Sequence, residues 1–88
     1  MLEIPELKKK TRETIYLLRV GKILEATDHL TTLTHTLPDI ASRLSPEELQ
    51  ALHNASMLLL SAQEKNDWAS LADTLEYELT EILDKISL

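Results

Sequence analysis

The chain has 88 residues, of which 43% are apolar and 27% are charged, and its formal net charge is −6. This length holds at most one domain, predicted here as residues 1–88, with enough apolar side chains for a small core. The absence of cysteine excludes disulfide bonds, a thiolate nucleophile and cysteine metal ligands. A single glycine also excludes the glycine-rich phosphate loops of nucleotide-binding enzymes.

The charge is distributed unevenly along the chain. Residues 1–22 hold six basic and three acidic residues, whereas residues 23–88 hold three basic and twelve acidic ones. An acidic body repels the phosphate backbone, so we expect no nucleic-acid partner. No apolar run approaches the roughly 18 residues of a membrane span, and residues 1–10 lack the order of a signal peptide. These features favour a cytoplasmic protein with no membrane partner.

The first predicted helix spans about residues 5–20. It begins at Pro5, because proline suits the first helical position. It ends near Gly21, which readily takes the left-handed conformation that closes a helix. The side predicted to be buried is formed by residues that recur at helical spacing: Ile4, Leu7, Thr11, Thr14, Ile15 and Leu18.

The second predicted helix spans about residues 22–44 and has the most regular apolar pattern in the chain. Pro38 interrupts this pattern, and proline removes one backbone hydrogen bond and crowds the preceding turn. Because Pro38 lies opposite the centre of the apolar side, we expect one helix kinked at Pro38. A break at Pro38 is the alternative. The apolar positions step by three and four residues: Ile23, Ala26, Leu30, Leu33, Leu37, Ile40 and Leu44.

The third predicted helix, about 46–65, has the clearest start signal. Ser45 followed by Pro46 and then Glu48 is typical of a capping box, in which the first and fourth residues bond each other's backbone. Its apolar positions cover more than half of the helix circumference, which predicts neighbours on more than one side. We therefore expect it to be the most buried helix. These positions are Leu49, Leu52, Ala55, Leu58, Leu59, Leu60 and Ala62.

The fourth predicted helix, about 68–86, begins after Asp67, a favoured N-cap residue. Short connections between long helices make them antiparallel neighbours. The fold class predicted from all four segments is therefore all-α, a small up-and-down bundle of four helices. The apolar stripe of the fourth helix is formed by Trp68, Leu71, Ala72, Leu75, Leu79, Ile82, Leu83 and Ile86.

One large side chain of the fourth helix does not fit its apolar stripe. Tyr77 points about 180° away from the stripe, at 100° per residue, and acidic residues surround it. Tyrosine is enriched where proteins bind one another. We therefore predict a partner-binding surface for a basic or amphipathic helix, formed by Asp73, Tyr77, Glu81 and Asp84. One alternative is that Tyr77 lies flat across its own helix or is covered by the first helix. Another is that the basic first helix balances the acidic fourth helix within the chain or across a dimer.

Few residues suggest catalysis or metal binding. Glu25 and His29 are four residues apart, and Asp73 and Glu76 are three apart, so each pair shares one side of a helix. Di-metal helical bundles use Glu-x-x-His motifs that point into the core, and this motif does not occur. No serine stands in a nucleophile elbow. We therefore predict no catalytic residue, no cofactor and no metal, and a metal-dependent bundle enzyme is the remotest alternative.

The segment NDWASLADTLEYELTEIL carries a family resemblance. It resembles a C-terminal pattern of small uncharacterised bacterial helical proteins, Asp-aromatic-x-x-Leu-Ala-Asp-x-Leu-Glu-Tyr-Glu-Leu, with Trp68 where tyrosine is more usual. The resemblance implies a helical fold and transfers no activity. The acidic bundle is also similar in architecture to export chaperones of the flagellar type, which hold an amphipathic helix of a partner. The matching residues are Asp67, Trp68, Leu71, Ala72, Asp73, Leu75, Glu76, Tyr77, Glu78 and Leu79.

Together these observations favour a non-enzymatic protein–protein interaction module, adaptor or chaperone-like, in a bacterial cytoplasm. A structural homo-oligomer is the main alternative. In that case, two bundles share the second or fourth helix through apolar side chains left over at the helix edges, such as Leu17 and Val20 on the first helix or Met57 and Leu58 on the third.

Overall fold

The computed structural model describes residues 3–86, which form four helices and no strand. The predicted all-α class is confirmed, and residues 1–2 and 87–88 of the predicted domain lie outside the described part. The second helix ends three residues earlier than predicted. The helices are α1 (Ile4–Arg19), α2 (Ile23–Ala41), α3 (Pro46–Glu64) and a fourth helix made of α4 (Trp68–Thr74), a π-helical turn (Leu75–Leu79) and α5 (Thr80–Ile86).

The buried side of α1 is the predicted one, and it includes two threonines. The Thr11 hydroxyl donates to the carbonyl oxygen of Leu7 at 2.8 Å, and the Thr14 hydroxyl donates to that of Lys10 at 2.7 Å. Each hydroxyl therefore keeps a hydrogen bond within its own helix, which removes most of the cost of burying it. The buried residues are Ile4, Leu7, Thr11, Thr14 and Leu18.

Helix α2 continues through Pro38 to Ala41, so the alternative of a break at Pro38 is wrong. Pro38 is exposed, as expected for a residue opposite the apolar side. A proline ring in this position disturbs the solvent-facing side of the helix and leaves the packed side intact. The buried residues keep the predicted spacing, with Thr36 joining them: Ala26, Leu30, Leu33, Thr36 and Ile40.

The connections close as the local sequence predicts. Gly21 follows the end of α1, in the connection to α2, and has a φ of 82°, in the left-handed region. The Ser45 hydroxyl accepts from the Glu48 N–H at 3.2 Å, and the Glu48 carboxylate accepts from the Ser45 N–H at 2.9 Å. This is the predicted capping box. Asn66, after α3, also has a positive φ of 54°, and asparagine is among the residues that tolerate it best.

Helix α1 and the fourth helix form the middle of the packing. Helix α1 packs against α2 on one side and against all three parts of the fourth helix on the other, and α3 packs against the fourth helix. Lys8 pairs with Asp84, and Arg19 pairs with Asp73, so α1 and the fourth helix run antiparallel. The close packing of α2 is concentrated on α1. No helix within residues 3–86 combines the length and apolar character needed to cross a membrane.

The prediction that α3 is the most buried helix is wrong. Leu58 and Leu60 are each 51% exposed, and Leu49 is 44% exposed. Helix α3 buries only Leu52, Ala55, Leu59 and Ala62 within the described chain. The reason is that α3 packs closely against one neighbour, the fourth helix, while α2 packs on α1. The fourth helix has neighbours on two sides and buries its whole central stripe: Leu71, Ala72, Leu75, Leu79, Ile82 and Leu83.

Candidate partner-binding surface

The four residues of the predicted surface all lie on the exposed side of the fourth helix. Asp73 belongs to α4, Tyr77 to the π-helical turn, and Glu81 and Asp84 to α5. Tyr77 is 65% exposed. This exposure is too large for a side chain covered by α1, so that alternative for Tyr77 is wrong. The outward position predicted from the helical period is confirmed.

Tyr77 stands at the centre of the π-helical turn Leu75–Leu79. In a π-turn, backbone hydrogen bonds span five residues, so the turn is wider than an α-helical turn by about one residue. The Thr80 N–H donates to the carbonyl oxygen of Leu75, and the Thr80 hydroxyl donates to the same oxygen at 2.9 Å. The hydroxyl therefore supports the wider turn from the side chain. Single π-turns within α-helices occur frequently at functional sites.

Two of the four predicted residues are ion-paired with α1. One guanidinium nitrogen of Arg19 lies 3.0 Å from both the Asp73 and the Glu76 carboxylates, and its hydrogen bond to Asp73 raises the pKa of Arg19. At the other end of the helix, the Lys8 ammonium lies 3.0 Å from Asp84. The basic first helix therefore does balance part of the acidic fourth helix within the chain, which was one of the alternatives left open by the sequence.

These ion pairs leave the carboxylates accessible. The side chains of Asp73, Glu81 and Asp84 are 59%, 67% and 62% exposed. The partner of Glu81 is Lys85, four residues along the same helix at 3.5 Å. Pairs on such exposed surfaces are weak and are screened by salt. The predicted surface is therefore an exposed tyrosine among exposed carboxylates.

The two residue pairs considered for metal binding lie in different places on the surface. Arg19 holds both Asp73 and Glu76, as described above. Glu25 and His29 line an open groove between α1 and α2, together with Arg12, Glu13, Tyr16 and Leu17. The Nδ1 atom of His29 is buried and has no hydrogen-bond partner. Within residues 3–86, no three His, Asp or Glu side chains come together in an arrangement that could hold a metal ion.

A second exposed surface, on α3, was predicted only in part: Met57 and Leu58 were expected to be left over at an edge, and both are exposed. Leu49, Met57 and Leu60 are 44%, 56% and 51% exposed. Leu49 and Leu60 were instead expected to be buried in the apolar side of the helix. The sequence does carry a signal for this surface, because residues 49–63 contain no Asp, Glu, Lys or Arg. A helix without charges on its solvent side differs from the ordinary amphipathic pattern, in which the outer side is charged or polar.

Comparison with known proteins gives a match to a family model. No curated protein and no solved structure matches the chain. The matching family model is described as "Domain of unknown function (DUF8042)", and it covers residues 2–88. Because this model spans nearly the whole sequence, the chain belongs to the DUF8042 family.

Proposed function

We propose that this chain is a non-enzymatic protein–protein interaction module, adaptor or chaperone-like, that acts in a bacterial cytoplasm. The observation that carries the proposal is Tyr77, which is 65% exposed on a π-helical turn. A large amphipathic ring loses little conformational freedom on contact and is a frequent anchor in interfaces. The resemblance of the LADTLEYEL segment to a motif of small bacterial helical proteins supports the same region.

The surroundings of Tyr77 favour a partner that is a basic amphipathic helix. Its apolar side would cover the ring of Tyr77, and its Lys or Arg side chains would pair with Glu81 and with Asp73 or Asp84. Ion pairs between exposed side chains contribute little stability, so cations of a partner can compete with Lys85, Lys8 and Arg19 for these carboxylates. The same carboxylates disfavour a nucleic acid or an anionic membrane surface as partner. Binding should weaken as salt rises, because exposed charges are screened.

Affinity capture from a lysate of the source organism tests this proposal. The baits are the wild type, the double variant Tyr77→Ala, Glu81→Lys, and the matched control Tyr16→Ala, Glu13→Lys. Tyr16 is 63% exposed, nearly the same as Tyr77, and lies on α1 outside the proposed surface. Circular dichroism of each bait verifies that its helices are intact.

We expect at least one protein to be captured by both the wild type and the control. The Tyr77→Ala, Glu81→Lys variant should not capture it. Identical captures by all three baits would move the binding site away from Tyr77. If no bait captures any protein other than its own chain, the adaptor proposal is refuted. In that case the second candidate, a structural homo-oligomer, becomes the better one, and the exposed leucines and methionine of α3 favour it.

A further inference from the structure

Helix α3 carries a continuous exposed stripe that no other described helix covers. Leu49, His53, Met57 and Leu60 follow one another at steps of four, four and three residues, so they share one side of the helix. All four are exposed. The buried side of α3, around Leu52 and Leu59, faces the fourth helix. Grouped apolar side chains on a surface mark a contact with another molecule more often than scattered ones do.

The absence of charged residues along the stripe indicates which kind of molecule can bind it. Residues 49–63 hold no acidic or basic residue, although charged residues are 27% of the chain. The acidic residues of α3 stand at its two ends, at Glu47, Glu48 and Glu64. The stripe therefore offers no carboxylate to the cations of a basic partner, whereas the surface around Tyr77 does. Two copies of this acidic chain can, however, meet at the stripe without opposing like charges within the contact.

We propose that the α3 stripe is the contact between two copies of this chain, packed antiparallel about a two-fold axis. In a two-fold contact, both copies use the same residues: if one residue of the first copy contacts another residue of the second, the reverse contact also forms. The order of side chains along the stripe must therefore be nearly the same in both directions. The spacing meets this requirement. When α3 is reversed about a point near Ala55, Leu49 lies beside Leu60 of the second copy, and His53 lies beside Met57 of the second copy.

This inference rests on the second candidate function and does not depend on the Tyr77 surface, because the two surfaces use different helices.

The first test is the mass in solution, measured by light scattering after size-exclusion chromatography. The wild type should approach twice the chain mass of 10.0 kDa as its concentration rises. Leu60→Glu places a charge in the stripe and should leave the mass of a single chain. The matched control is Leu58→Glu, because Leu58 and Leu60 are both 51% exposed and lie about 200° apart around the same helix. The control should keep the wild-type mass.

The second test measures the geometry and does not rely on a destabilising variant. The chain has no cysteine, so cysteines introduced at single positions give unambiguous cross-links. A mixture of Leu49→Cys and Leu60→Cys chains, treated with a short thiol-reactive cross-linker, should form the 49–60 cross-linked pair. Leu60→Cys alone should cross-link poorly, because the antiparallel arrangement keeps the two copies of residue 60 apart.

Three outcomes would overturn the inference. One is a wild type that stays at the mass of one chain at every concentration reached. Another is equal loss of the pair in Leu58→Glu and Leu60→Glu. The third is efficient 60–60 cross-linking, which indicates a parallel contact.

The salt dependence of binding distinguishes this surface from the Tyr77 surface. In roughly 1 M salt, where charges are screened beyond about 3 Å, the apolar pair should persist, whereas binding at Tyr77 should weaken.

Discussion

Replacing Leu75 by alanine should remove a large part of the stability of this chain. Leu75 is fully buried in the fourth helix, which packs against α1 on one side and α3 on the other. A buried leucine shortened to alanine loses its transfer free energy and leaves a cavity, which together cost about 2–5 kcal/mol. A value of about 3 kcal/mol is expected here. The total stability of a chain of this size is of the order of 4–13 kcal/mol, so the loss is a substantial fraction.

The assay is urea unfolding followed by circular dichroism, with Leu58→Ala as the control on α3. Leu58 is 51% exposed, so its removal should change the free energy of unfolding by no more than about 0.5 kcal/mol. In thermal unfolding, a loss of 3 kcal/mol corresponds to a fall in Tm of roughly 12–24 °C for a domain of this length. Equal costs for the two variants would refute the account of which helix lies at the centre of the core.

Three further predictions concern local features. Thr80→Val removes the hydroxyl that bonds Leu75 in the π-turn and should lower the free energy of unfolding by about 1 kcal/mol, whereas Thr80→Ser should not, as measured in urea. Gly21→Ala should cost about 1 kcal/mol, because alanine resists the φ of 82° there although the space is open. The hydrogen bond from the Ser45 N–H lowers the pKa of Glu48 below its ordinary value of 4.5. The contribution of Glu48 is therefore complete above about pH 4.5 and is lost as the pH falls through its folded-state pKa. In Glu48→Gln, the acid side of the stability profile should be flatter.

The features that the sequence predicts well are those set by local chemistry. The apolar residues of α2 and of the fourth helix recur at steps of three and four. With 3.6 residues per turn, such residues lie on one side of a helix, and this identifies the buried side. Ser45 with Glu48 marks the start of α3, and Gly21 marks the end of α1. Each of these depends on residues within one or two helical turns. The outward position of Tyr77 follows from the same periodicity.

The features that the sequence does not predict depend on which helices become neighbours. The apolar residues of α3 cover much of its circumference, but periodicity cannot say whether a second helix is available to cover Leu58 and Leu60. The pairing of Arg19 with Asp73 and Glu76 joins opposite ends of the chain. No local signal identifies which of several acidic residues a given cation will meet.

The sequence also does not predict the π-helical turn, and the reason lies within the fourth helix itself. The apolar steps through Leu75 and Leu79 fit a regular α-helix, so periodicity alone gives no reason to insert a wider turn. Thr80 is the one residue whose chemistry supports it, through the bond to Leu75. A threonine hydroxyl bonds its own helix in many ordinary α-helical turns, as Thr11 and Thr14 do in α1. Its presence is therefore consistent with the π-turn but does not predict it.

The structure divides the surface into two chemically different sides. The side formed by α1 and the fourth helix carries the described ion pairs between these helices, at Lys8, Arg19 and their carboxylate partners. The solvent-facing side of α3 between residues 49 and 63 carries no charge. This division is the physical basis for assigning a basic partner to the first side and a second copy to the other. It also makes the two assignments separable by salt and by single substitutions.

The most direct test of the proposed binding surface is a titration of isotope-labelled protein with a basic amphipathic helical peptide, followed by amide NMR. The account predicts that the amide signals of residues 73–84 shift first and furthest, and that the shifts disappear in the Tyr77→Ala, Glu81→Lys variant. Shifts concentrated on α2 or α3, or no shift at any peptide concentration, would contradict the assignment of the Tyr77 surface.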